Sequence, residues 1–208
     1  MQPGSPTEQL QSRRTCRLHS FWTLTAARAL TAAVLLAQTP AATPATPAKP
    51  SEYDVKAAYL LNFGKFVRTF RTATPRSSFD ICTLGHDPMG SSLDALASNS
   101  TIDGHPVRVT HLPDITGAKS CEILFLGAGE ENRMREDLAI LGNADVLTVS
   151  DAPDFLQHGG MIQFVLVSNH VRFAVNLEAV NHTHLVLSSE LLRVASSVAG
   201  KPPTGEMP

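Results

Sequence analysis

Five polar or flexible residues lie shortly after short apolar runs of this sequence. They are Gly85, Asp87, Gly127, Ser150 and Asp151. If the runs are parallel strands, their carboxyl ends share one edge of a sheet, where ligands of α/β proteins usually bind. The five residues are therefore candidates for loops that contact a ligand or a partner. A deep polar pocket at these loops would favour a small molecule, and a shallow apolar groove would favour a protein.

Residues that could perform catalysis occur without the groups that would activate them. Serines are plentiful, but there is no Gly-x-Ser-x-Gly elbow and no nucleophile with a credible base. The Gly127–Gly129 segment lacks the third glycine and the basic residue of a phosphate loop, so a turn is favoured. His182 and His184 alternate along the chain, but no nearby cysteine or carboxylate completes a metal set. We expect no catalytic residues, no metal and no cofactor.

The N-terminus predicts export. Arg13, Arg14 and Arg17 precede an apolar stretch that begins at Phe21, and small residues around position 41 offer a cleavage site. We predict a signal peptide over residues 1–41, with the Sec and twin-arginine routes and an uncleaved anchor left open. A Pro/Ala/Thr-rich linker follows over residues 42–50.

The cysteines support export. Cys16 lies in the predicted signal peptide, which leaves Cys82 and Cys121 in the mature chain. An even count in an oxidising compartment indicates one disulfide, and the alternative is two buried thiols in a cytosolic core. Both cysteines lie in apolar segments that we predict as the first and third strands. These strands are commonly neighbours in a doubly wound sheet, which brings the cysteines within bridging reach.

Apolar spacing predicts one α/β domain over residues 51–199, with a flexible tail over 200–208. Ser51 should cap a first helix that ends before Pro75 and packs through one apolar face, formed by Leu60, Phe63, Val67 and Phe70. Four strands then alternate with two helices. The strands are Phe79–Leu84, Val107–Leu112, Cys121–Leu126 and Val146–Val149, and the helices are Met89–Ala97 and Glu130–Leu141. This alternation is typical of a mainly parallel sheet.

The C-terminal part follows a different pattern. Met161–Val167 and Val171–Asn176 flank a short turn and predict an antiparallel hairpin, whose first strand lies inside the sheet. Ser188 or Ser189 can cap a last helix that packs through Leu191, Leu192, Ala195 and Val198. Together the elements predict a three-layer sandwich with a mainly parallel sheet plus a C-terminal antiparallel hairpin.

Composition narrows the class of partner. The chain of 208 residues is 43% apolar and 17% charged, with a formal net charge of −2. The apolar share is enough to fill the core of one domain. Because there is no basic surplus, we do not expect binding to nucleic acid.

Seven blocks between Tyr53 and Ala195 resemble the YfiR family in the same order. They are Tyr53–Val67, Ile81–Gly85 with Asp87-Pro88, Cys121–Leu126, Leu147–Asp151, Gly159–Ile162, Val171–Asn176 and Ser188–Leu192. The sequence departs from the family pattern at Gly64, a poor residue for a helix interior, and it lacks the second cysteine pair of some members.

The resemblance implies a periplasmic, non-enzymatic repressor. The family's named member binds the periplasmic part of YfiN, an inner-membrane diguanylate cyclase, and is itself sequestered by YfiB, an outer-membrane lipoprotein. We therefore expect a YfiN-like partner, with a YfiB-like lipoprotein and a homodimer left open, and an effect on cyclic-di-GMP signalling and biofilm formation. The competing hypothesis is a periplasmic small-molecule-binding sensor, in which the five loop residues would line the ligand site.

Overall fold

The computed structural model describes residues 49–69, 77–127, 129–130 and 132–200. The predicted signal peptide, the linker up to residue 48 and the tail beyond residue 200 lie outside these ranges, so their boundaries stay predictions. Every helix in the described ranges is too short or too polar to span a lipid bilayer.

The described chain forms five α-helices and one 3-10 helix. The α-helices are α1 (Glu52–Phe66), α2 (Gly90–Ala97), α3 (Met134–Leu141), α4 (Leu177–Asn181) and α5 (Ser189–Val194), and the 3-10 helix is Ile115–Ser120. α1 begins with a capping box at Ser51, as the sequence predicted. The Ser51 hydroxyl accepts the Asp54 N–H at 3.1 Å, and Asp54 Oδ2 accepts the Ser51 N–H at 2.8 Å.

Ten strands lie in the described residues, and eight of them form one sheet. The strands are β1 (Val67–Thr69), β2 (Phe79–Leu84), β3 (Thr101–Ile102), β4 (His105–Leu112), β5 (Ile123–Leu126), β6 (Leu147–Ser150), β7 (Ile162–Val167), β8 (His170–Asn176), β9 (Leu185–Leu187) and β10 (Ser197–Ala199). The sheet has the order β10-β8-β7-β6-β5-β2-β4-β3, and β1 and β9 form a separate antiparallel pair.

The sheet is mainly parallel, as predicted. β4, β2, β5, β6 and β7 run in one direction. β8 returns antiparallel to β7 as a hairpin, in which Phe164 lies opposite Phe173. The predicted position of β7 inside the sheet is confirmed, because β6 and β8 pair with its two edges.

Helices cover both faces of the sheet and complete the three-layer sandwich. On one face, α1, α2, α4 and α5 enclose the larger core with buried side chains such as Leu60, Leu93 and Leu191. On the other face, the 3-10 helix and α3 enclose a smaller core around Ile115 and Met134. The predicted fold class is therefore confirmed.

Gly64 has a packing reason in the interior of α1. A Cβ atom at this position would lie 2.6 Å from Ile102 Cδ1 and 2.8 Å from the ring of Phe79. These distances are shorter than carbon atoms tolerate, so a larger residue would push the helix away from the sheet. The close approach of α1 to the sheet outweighs the low helix propensity of glycine.

Two of the predicted helix faces include residues that lie beyond the ends of the observed helices. α1 ends at Phe66, and Val67 instead begins β1, where it pairs with Leu187 of β9; Phe70 lies outside the described residues. Likewise, α5 ends at Val194, and Val198 lies in β10 opposite Val175 of β8. In both places pairing with a strand that is distant in sequence overrides the local helical spacing.

The predicted disulfide between Cys82 and Cys121 is present. Cys82 lies in β2, and Cys121 lies between the 3-10 helix and β5, which begins at Ile123 rather than at Cys121. β2 and β5 are neighbours in the sheet, so the two Cα atoms are 6.0 Å apart. Both cysteines are 2% exposed, and the bond ties the 3-10 helix to the sheet.

We predict that replacing both cysteines, Cys82→Ala with Cys121→Ala, lowers the free energy of unfolding by about 4 kcal/mol. The bond spans 39 residues in sequence, and its loss frees the unfolded chain to adopt more conformations. Urea denaturation of the two proteins measures the difference. Rapid alkylation of either cysteine in normally exported protein, denatured without a reductant, would contradict the structural role of the bond.

Candidate functional site

The N-terminal half of α1 anchors an ion cluster at the carboxyl edge of the parallel strands. We call Glu52, Lys56 and Asp151 the ion cluster. Lys56 is only 4% exposed, and its Nζ lies 2.7 Å from Asp151 Oδ2 and 2.6 Å from Glu52 Oε1. The ring of Tyr53 lies 4.7 Å from the same ammonium group. Asp151, one of the five predicted loop residues, is therefore paired with a cation from another layer.

The pKa of Lys56 reflects two opposing causes. Burial lowers it, because a low-polarity environment disfavours the charged ammonium. Hydrogen bonds and charge attraction from Asp151 and Glu52 outweigh burial, so the pKa lies above its ordinary value. Lys56 is therefore charged and links α1 to the sheet through its ion pair with Asp151. A nucleophilic lysine would instead need a neutral amine.

Gly85 and Gly127 allow the backbone segments that follow β2 and β5 to lie in close contact. The Gly127 N–H donates to the Leu84 carbonyl at 2.8 Å, and a Cβ atom at Gly127 would lie 1.8 Å from the His86 carbonyl oxygen. Gly85 has a positive φ of 79°, and the side chain of Glu130 packs against it. Both positions require glycine for close contact within the protein.

Asp87 and Ser150 bond to the protein's own backbone. Asp87 Oδ1 accepts the N–H groups of Met89 at 2.9 Å and Gly90 at 3.1 Å, at the start of α2. The Ser150 hydroxyl donates to the Leu126 carbonyl at 2.7 Å and accepts the Ala152 N–H at 3.0 Å. The five predicted loop residues thus share one edge and are engaged there. Their role in contacting a ligand or partner stays a prediction.

An open groove lies at the opposite edge of the sheet, where β6 and β7 begin. Its volume is about 520 Å³. The apolar lining residues, contributed by α3, α4 and the segments that precede β6 and β7, are Leu138, Leu141, Ala144, Val146, Leu156, Met161 and Ala179. The main polar lining residues are Asn143, Gln157, Asn176, Glu178 and His182. These residues together form the surface that we call the groove.

Two side-chain amides hold one wall of the groove. Asn176 Nδ2 donates to the Leu156 carbonyl at 3.1 Å, and its Oδ1 accepts the Glu178 and Ala179 N–H groups that begin α4. Gln163 Oε1 accepts the Leu156 N–H at 3.4 Å. The loop that carries Leu156 is therefore held by hydrogen bonds to β7 and to the end of β8. These bonds fix the position of this wall of the groove.

Sequence reasoning missed both the groove and Lys56. The spacing of Glu52 and Lys56, four residues apart on a helix, was the available signal for the ion pair. The groove has no comparable signal, because its residues come from α3, β6, β8, α4 and the loops beside them, which are far apart in sequence. Sequence reasoning also missed the contact between His184 Nδ1 and Asp145 Oδ1, which lie 3.0 Å apart, because the two residues are 39 positions apart in sequence. No group of three metal-binding side chains forms in the described parts of the chain.

Comparison with known proteins gives one family match. A family model described as YfiR/HmsC-like matches residues 53–196. Among solved structures, a conserved domain protein from Vibrio cholerae O1 biovar El Tor strain N16961 aligns with a TM-score of 0.49 and 8% identity. The alignment covers 73% of this chain and 61% of that protein's chain. No curated protein sequence matches.

We predict that Lys56→Met lowers the free energy of unfolding by about 3 kcal/mol. The substitution leaves the Asp151 carboxylate half-buried beside an apolar side chain, and an unpaired buried charge is costly. Urea denaturation measures the loss, with Lys65→Met as the matched control, because Lys65 is an exposed lysine on the same helix. If the two variants lose the same stability, the ion cluster is not what ties α1 to the sheet.

Proposed function

The chain belongs to the YfiR/HmsC-like family, and from this premise we propose that it represses a membrane signalling enzyme by binding its periplasmic region. The family is regulatory rather than enzymatic, and membership supports a periplasmic regulator with a membrane signalling partner in general.

The proposed partner is an inner-membrane diguanylate cyclase of the YfiN type. A repressor that binds the inactive arrangement of the cyclase shifts the population toward that arrangement, by no more than its difference in affinity for the two states. An outer-membrane YfiB-like lipoprotein would relieve repression by competing for the repressor. The cellular output would be lower cyclic-di-GMP and less biofilm in the repressed state.

The groove is the observation that carries this proposal. It combines an apolar floor, including Leu141 and Met161, with exposed polar residues at its rim, such as Asn143 and Glu178. An open groove of this kind suits a short protein segment, which can keep part of its surface in solvent. A small-molecule site more often encloses its ligand. The tight contacts of Gly85, Gly127 and Asp151 also leave the carboxyl edge less suited to the sensor hypothesis.

We predict that Asn143→Arg lowers recovery of the membrane partner by about tenfold or more. Asn143 is exposed and lines the groove, so a long charged side chain there should block an apolar segment from docking. The measurement is a pull-down from solubilised membranes by the mature protein, with partners quantified by mass spectrometry and folding checked by thermal unfolding. The matched control is Asn99→Arg, an exposed asparagine in the turn after α2.

Equal recovery by both variants would exclude the groove as the docking site. Recovery of no membrane protein by the unaltered chain, together with a small molecule that copurifies with it, would favour the sensor hypothesis instead.

In cells, we predict that deleting the gene raises cyclic-di-GMP, because the cyclase loses the ligand that stabilises its inactive state. Nucleotide extraction and quantification tests this, with complementation by the unaltered gene as the control. Complementation by Asn143→Arg should fail, whereas Asn99→Arg should restore the low level. Unchanged cyclic-di-GMP after deletion would argue against a cyclase as the partner.

A further inference from the structure

Asp137 is an acid that the fold buries in the interior. It lies on the inner side of α3 and is 0% exposed. Neither of its carboxyl oxygens has a hydrogen-bond partner among the residues that the structure describes. Arg133 is a mostly exposed side chain whose Nη2 lies 3.9 Å from Asp137 Oδ1, too far for a hydrogen bond.

The surroundings of Asp137 offer little to stabilise a negative charge. On its own helical segment, Arg133 attracts the charge and Glu136 repels it. The 3-10 helix that packs against α3 is capped by Asp114 and carries the exposed Lys119. The sheet beneath presents apolar residues and the disulfide. Burial raises the pKa of Asp137 above its ordinary value, and Arg133 only partly offsets this effect.

α3 makes few other contacts that would offset the free energy lost by burying the Asp137 carboxyl group. It spans eight residues, and the side chain of its N-cap residue Arg133 makes no capping hydrogen bond within the described part of the chain. Met134 and Leu141 are the apolar side chains that it buries completely or almost so. The same helix contributes Leu138 and Leu141 to the groove. A change in how firmly α3 docks therefore changes one wall of the groove.

We propose that acid strengthens the docking of α3. The helix packs more tightly onto the 3-10 helix and the sheet when Asp137 takes up a proton. This inference goes beyond partner binding and does not rest on it. The periplasm is where such a response would matter, because external protons reach it readily.

The direction of the effect follows from proton linkage. When α3 opens, Asp137 meets water and regains its ordinary acidity, so the closed form binds the proton more tightly than the open form. Lowering the pH through the raised pKa of the closed form therefore stabilises docking. Raising the pH charges the buried carboxyl group and favours opening.

Amide hydrogen exchange of the whole mature chain tests the proposal. Protection factors, which correct for the intrinsic effect of pH, should rise several-fold in α3 as the pH is lowered from about 8 to about 4, near the ordinary pKa of aspartate. Asp137→Asn removes the titrating charge at similar volume, so its α3 protection should be independent of pH and exceed that of the unaltered chain at about pH 8. Protection in α1 serves as the internal reference for global unfolding.

Glu136→Gln is the matched control, because it removes an exposed acid from the adjacent position of the same helix. This variant should keep most of the pH dependence. Asp137→Ala provides a second substitution that also lacks the charge and should show the same loss of pH dependence. If the unaltered chain shows no pH dependence in α3, or if both Asp137 variants retain it, the proposal is overturned.

Discussion

Strands β5 and β6 are buried at every position, so neither face of the central sheet can be left to solvent. Sheets of parallel strands meet this requirement with helical layers on both sides. Here the helices before β2, between the strands and after β8 supply the two layers. The close packing of α1 at Gly64 follows from that requirement.

The two layers are secured by different means. On one face, α1 packs Phe63 against Phe164 and Phe173 of the hairpin, with ring centroids 5.9 and 5.1 Å apart, and the ion cluster fixes its N-terminal half. On the other face, the core is smaller, and the disulfide supplies a covalent tie close to the 3-10 helix. α3 lies beyond that tie and buries a charge-bearing group. Local opening should therefore begin in this layer rather than at α1.

The sequence was sufficient to predict the main strands, their parallel arrangement, the hairpin and the disulfide, because each depends on local apolar runs or on residue type. It was insufficient for β1, β9 and β10. These strands are three residues long, and Val67 and Val198 continue a helical spacing until pairing with a distant strand redirects them. Such pairing depends on where the chain returns in space, which local periodicity does not encode.

The same limit applies to the candidate site. The rule that ligands bind at the carboxyl ends of parallel strands correctly grouped Gly85, Gly127 and Asp151 at one edge, but it assumes that the strand ends separate there. In this fold, close backbone contact at Gly127 brings them together. The groove arises instead from the reversal of β8, because an antiparallel strand delivers its carboxyl end, Asn176, to the edge where β6 and β7 begin. α4 follows at once and forms a wall there, so the position of the groove is set by the topology of the hairpin rather than by any local motif.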